Sequence, residues 1–199
     1  TGLGERRHLF SGNVNLSTHI QDVAGVIESE NLDDFALIGH SYGGMVITGV
    51  ADRFASKISH IVYLDAFLPE NGTSAFDFIG REGMLRNIEG AADNGGIGVP
   101  ATPRDPSRVP EEFRHLMGTR GLHPLPTLVE NLKLSGDHAK IAKRLYVLCT
   151  GDLPTIFVKA YEKTKADPAW KTETLPCGHM LQLEMLDRTA ELLTGFIGK

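Results

Sequence analysis

Two cysteines in 199 residues, Cys149 and Cys177, are too few for a disulfide framework, so both are expected to stay free thiols packed in the core. No run approaches the ~18 apolar residues of a membrane span, and the opening Thr1-Gly2-Leu3-Gly4-Glu5-Arg6-Arg7 holds no apolar signal region. A cytoplasmic protein without a membrane partner is the expectation. Positive charge is also short: 20 basic against 25 acidic residues give a formal net charge of -5, with no basic stripe for nucleic acid. Internal repeats and low-complexity tracts are missing. Histidine, cysteine and carboxylate residues nowhere gather at ligand spacing, so neither a metal nor an organic cofactor is implied. What is left is a globular composition, 41% hydrophobic and 23% charged, sufficient for one large core or a core with a small cap.

The present features centre on Gly39-His40-Ser41-Tyr42-Gly43. This G-x-S-x-G pattern lies between the apolar run Phe35–Ile38 and a helix-like stretch starting near Gly44, the setting in which a strand turns sharply into a helix and exposes a serine hydroxyl. The flanking glycines Gly39 and Gly43 are expected where a side chain would collide at the turn. Phe35–Ile38 is apolar on consecutive residues and reads as a central parallel strand covered on both faces. Beyond the turn, Ile47, Val50, Ala51 and Phe54 repeat at helical spacing, so this helix packs back on the sheet and begins beside the serine. Its first turn points unpaired N–H groups at any oxyanion formed there.

Around this core the chain alternates. A loop through residue 14 leads to a helix capped by Asn15 or Ser17, with Ile20, Val23, Ala24 and Ile27 on one face. His60–Leu64 and Arg144–Cys149 read as buried strands, Lys171–Pro176 as the last strand, and Leu186, Ala190, Leu193 and Ile197 as the face of a closing helix. Strand–helix–strand alternation implies right-handed crossovers and a mostly parallel α/β sheet with flanking helices. From residue 69 to 138 the alternation lapses. Gly90–Pro110 alone holds four glycines and four prolines, with helical candidates at Pro110–Met117 and Thr127–Leu134 on its far side. The expected organisation is therefore a core of residues 1–68 and 139–199 with a helical cap, 69–138, inserted between strands. Phe76, Phe78, Met84, Met117 and Leu122 are cap residues that either pack within it or touch substrate.

Three candidate groups lie beyond strand carboxyl ends, the edge where open α/β sheets place their sites. Ser41 needs a base, because its hydroxyl is scarcely ionised at neutral pH. His179 follows a glycine turn after the last strand and suits that role, while His40 is assigned packing or hydrogen bonding. A carboxylate must then orient the imidazole. Asp152, 27 residues before His179, is preferred, with Asp65, at the end of the strand after the nucleophile helix, as the alternative acid. The order serine, acid, histidine matches the α/β-hydrolase arrangement.

Gly39-His40-Ser41-Tyr42-Gly43-Gly44, Tyr63-Leu64-Asp65-Ala66-Phe67-Leu68-Pro69, Gly178-His179 and Thr1–Arg6 together resemble the α/β-hydrolase superfamily, in its branch of small bacterial esterases related to plant methyl esterases and hydroxynitrile lyases. The resemblance implies a serine esterase acting on small, largely apolar carboxylic esters through an acyl-enzyme. It implies an oxyanion donor at the amide of Tyr42, and the family's other donor comes from a His-Gly loop ahead of a segment like Thr1–Arg6. With 34 residues before the nucleophile strand, about four core strands are expected where the family has about eight. The expectation is an amino-terminally incomplete fold whose nucleophile strand pairs with a missing segment or another chain, including a homo-oligomer. Met180 stands where the hydroxynitrile lyases carry a lysine, which ranks lyase activity below hydrolysis. The rival from another class is a ligand-binding homologue that turns over slowly or not at all.

Overall fold

A computed structural model describes residues 1–102, 105–117 and 121–198. In chain order it contains α1 (Leu16–Ser29), β1 (Phe35–His40), α2 (Gly43–Phe54), β2 (Ile58–Leu64), α3 (Phe76–Ala92), β3 (Gly98–Val99), β4 (His123–Pro124), α4 (Pro126–Val129), β5 (Lys143–Cys149), α5 (Val158–Lys165), β6 (Trp170–Leu175), α6 (Leu181–Glu184) and α7 (Leu186–Ile197). Four strands form one parallel sheet in the order β1-β2-β5-β6, and β3 and β4 make a short antiparallel pair. The fold is α/β, a mostly parallel sheet with flanking helices.

Strand periodicity divides the core. Val62, Leu64, Leu145, Val147 and Leu175 face one way and pack with Leu181, Leu192, Leu193 and Phe196 of α6 and α7. Ile61, Tyr63 and Tyr146 face the other way, against Ile47 and Ala51 of α2 and Ala160 of α5. α1 extends that layer through Leu16, Ile20 and Ile27, and Asn15 caps it: its side chain accepts from the Thr18 amide while Thr18 Oγ1 accepts from the Asn15 amide.

The expectation that the nucleophile strand is covered on both faces fails at one residue. Phe35 and Leu37 of β1 pack against the α1–α2 layer, but Ile38 stays 39% exposed on the opposite face, although its register partner Val62 is fully buried. The apolar cover from α6 and α7 reaches β2, β5 and β6 and leaves β1 at the rim. Consecutive apolar residues therefore did not mean two-sided burial here.

Residues 1–14, read as a loop, contain a 3₁₀ turn over Gly4–Leu9 and are joined to α1 at Asp22, whose Oδ1 accepts from the Thr1 hydroxyl at 2.8 Å and lies 3.4 Å from Arg6 Nη1. Within 69–138, α3 turns at Gly80 (φ 69°), Glu111–Met117 is a 3₁₀ helix, and the Thr127–Leu134 candidate is α-helical only where α4, Pro126–Val129, overlaps it. Positions 103–104 and 118–120 of the expected cap lie outside the described residues. Phe78 packs on Phe67, with ring centroids 5.1 Å apart, which is a core role.

Candidate active site

The turn after β1 makes the site. Ser41 takes a left-handed φ of 57°, held because its own N–H donates to Leu64 O at 3.3 Å and its carbonyl accepts from Phe67 N at 3.1 Å. A Cβ on Gly39 would lie 2.8 Å from Ile47 Cδ1, so that glycine has the steric task expected of it. Gly43, expected to share the task, has open space around it. The constrained position is Gly44, where a Cβ would come within 2.0 Å of Phe67 O. α2 can approach the β2 loop only because residue 44 lacks a side chain.

His179 arrives on the loop after β6. In the tautomer that protonates Nδ1, its Nε2 accepts from the Ser41 hydroxyl at 2.8 Å, while Nδ1–H donates to Asp65 Oδ2 at 2.6 Å. The ring stacks on Phe157 at 5.3 Å and 9° and meets His40 at 4.4 Å; His40 Nε2 in turn hydrogen-bonds the His179 carbonyl oxygen at 2.7 Å. His40 is thus a packing and hydrogen-bonding residue, as expected.

The preference between the two carboxylates is reversed. Asp65 is 2% exposed, sits at the end of β2 with φ 43°, and its Oδ1 accepts from the Cys149 amide at 3.0 Å. Because β2 lies between β1 and β5, this carboxylate emerges beside the serine. Asp152 does not meet the imidazole. Its Oδ2 accepts from the His179 backbone N–H at 3.3 Å, and its Oδ1 binds the Arg108 guanidinium. That hydrogen bond from Arg108 holds the Asp152 carboxyl below the usual carboxylate range. Spacing along the chain could not separate two acids at neighbouring strand ends, and Arg108 sits in the stretch where periodicity gives no signal.

Tyr42 is the N-cap of α2, so its amide stands at the positive end of that helix, one residue from Ser41. Its hydroxyl hydrogen-bonds His19 Nδ1 at 3.0 Å, and its ring lies edge-on to His123 at 4.9 Å. Burial pushes the Tyr42 hydroxyl well above its ordinary range, so it remains a neutral donor. Burial, with nearby His19, pushes His123 down to about 4. The folded protein then keeps His123 neutral where the unfolded chain, at an ordinary ~6.5, takes up a proton, so stability falls as pH drops from ~6.5 toward 4. His123→Gln, which can keep a hydrogen bond to Thr127, is expected to flatten part of the fall of Tm with pH across that window in thermal melts.

A cavity of about 430 Å³ opens over Ser41 and His179, lined also by His40, Thr102, Val109 and Met180, with Asp105, Arg108, Asp152 and Glu184 on one wall. A second cavity of about 310 Å³ under Tyr63 and Trp170 contains none of Ser41, His179 or Asp65. Among the described residues no helix is long and apolar enough to cross a membrane, and none of the His, Cys, Asp and Glu groups could hold a metal. Cys149 and Cys177 are free and buried.

A parallel sheet whose nucleophile candidate sits on a strand–turn–helix bend, with imidazole and carboxylate in line at the same edge, defines a hydrolase-type α/β architecture. The chain belongs to the alpha/beta hydrolase family, whose model matches residues 2–192. It is 39% identical over 205 aligned positions to a carbendazim hydrolyzing esterase from Nocardioides sp. (strain SG-4G), covering 97% of this chain and 84% of that protein. Its fold is similar to that of an extracellular alpha/beta-hydrolase from a Paenibacillus species (TM-score 0.79, 22% identity, 98% of this chain and 84% of the other). A pyrethroid hydrolase from Sphingobium faniae JZ-2 is also similar in fold (TM-score 0.69, 22% identity, 98% and 81%).

Proposed function

We propose that the chain, an esterase of this family, cleaves small carboxylic esters through an acyl-enzyme on Ser41. The observation that carries this reading is the line from Asp65 Oδ2 through His179 to Ser41 Oγ, 2.6 and 2.8 Å long, beneath an open cavity. Ser41 Oγ attacks the ester carbonyl carbon while His179 Nε2 takes its proton. Asp65 fixes the ring and stabilises the imidazolium, and the Tyr42 amide at the α2 terminus faces the oxyanion. The imidazolium then protonates the departing alkoxide; water, deprotonated by His179, attacks the acyl carbon, and that proton passes to Ser41 Oγ as the acid leaves. From the expected cap, Thr102 and Val109 reach the cavity and with Met180 supply its uncharged wall. Carbendazim, which the name of the Nocardioides relative carries, belongs in the substrate panel.

The test is hydrolysis of p-nitrophenyl acetate and butyrate together with fluorophosphonate labelling and peptide mapping. Turnover with the label on Ser41 is expected. A label elsewhere, or ligand binding with no acyl-enzyme by mass spectrometry, favours the slow or non-catalytic homologue instead.

A further inference from the structure

We propose that Arg108 is a positioning residue of this esterase, acting through Asp152 and Glu184 on the loop that carries His179. The inference rests on the assignment of His179 as the base.

The loop 177–179 has two kinds of support. From the β5 side, the Gly151 amide donates to Cys177 O at 2.7 Å, and the approach is so close that a Cβ on Gly151 would lie 2.6 Å from the Cys177 carbonyl carbon. From the cavity side, the two amides that flank and include the histidine are each taken by a carboxylate. Gly178 N–H donates to Glu184 Oε2 at 2.7 Å, and His179 N–H donates to Asp152 Oδ2 at 3.3 Å. One guanidinium joins these carboxylates: Arg108 Nη1 donates to Asp152 Oδ1, and Nη2 lies 3.3 Å from Glu184 Oε2. The cluster is seated on Gly178, where a Cβ would be 2.3 Å from Arg108 Nη2 and 2.7 Å from Asp152 Oδ2.

An exposed ion pair contributes little to global stability, and Asp152 is 46% exposed. Its value here is geometric. The planar fork of arginine fixes two carboxylates at once, and those carboxylates fix the backbone on which the imidazole is mounted. Without Arg108, Asp152 and Glu184 repel each other, the amides of residues 178 and 179 lose a defined acceptor position, and the 2.8 Å contact to Ser41 loosens.

The test is a double-mutant cycle with Arg108→Met and Asp152→Asn, read as kcat and KM on a p-nitrophenyl ester. Arg108→Met is expected to lower kcat about 10-fold with KM little changed. Asp152→Asn is expected to cost a similar factor, and the pair about 10-fold rather than about 100-fold, because both break one connection. Arg108→Lys should recover part of kcat. Unchanged kcat, an effect on KM alone, or multiplicative losses would overturn the proposal. If Arg108→Met fails to fold, Glu184→Gln carries the test from the Gly178 side, with the same expected fall in kcat and the same overturning result of no change. Failure of the underlying reading is separate: it shows as a fluorophosphonate label that misses Ser41 in the wild type, whatever the Arg108 variants do.

Discussion

Ser41→Ala is expected to lower kcat on a chromogenic ester by about 10⁴- to 10⁶-fold while leaving the melting temperature close to that of the wild type. The size follows from the loss of the covalent route: without Oγ, only binding, the oxyanion donors and water remain. Fold retention follows from the backbone. Ser41 occupies a left-handed φ of 57° that alanine meets at similar cost, and the hydrogen bonds that hold the turn use its main-chain N–H and C=O. Steady-state kinetics paired with thermal melts check both halves. Retention of most of the activity would remove Ser41 from the chemistry.

The second large effect separates the two carboxylates. Asp65→Asn is expected to reduce kcat about 10⁴-fold, because an amide can present N–H to Nδ1 and favour the tautomer whose Nε2 carries the proton, leaving no base for Ser41. The same variant should fold, since an asparagine oxygen can still accept the Cys149 amide. Asp152→Asn is expected to cost only about 10-fold, the effect of a loosened loop. Parallel kinetics on the two variants decide the matter, and a larger loss at Asp152 would return the acid to the position preferred from chain spacing.

Much of this geometry was legible in the residues. Apolar runs at Phe35, His60 and Arg144 gave the strands, helical spacing at Ile47–Phe54 gave α2, and a glycine turn marked His179. These signals are local and periodic, and burial enforces them. The illegible parts depend on neighbours distant in sequence. Whether Asp65 or Asp152 meets the imidazole is decided by the strand order β1-β2-β5-β6 and by a guanidinium from residue 108. Gly44 rather than Gly43 bears the steric constraint because Phe67 O happens to pass there. Ile38 is exposed because two helices stop short of β1. None of these facts has a pattern along the chain.

Two strained residues stand at the carboxyl ends of β1 and β2. Ser41 and Asp65 both sit in left-handed backbone, a conformation that costs about 1–3 kcal/mol apiece for a non-glycine residue. Both are restrained by main-chain bonds to adjacent strands, Ser41 N–H to Leu64 O and Asp65 N–H to Val147 O. Strain of this kind relaxes wherever the restraint weakens, and the two restraints share one edge of the sheet. Warming that edge would let Ser41 and Asp65 slip out of alignment together, before the buried Val62–Leu145 layer gives way. Catalytic function would then be the first property lost on heating, with the body of the molecule still folded.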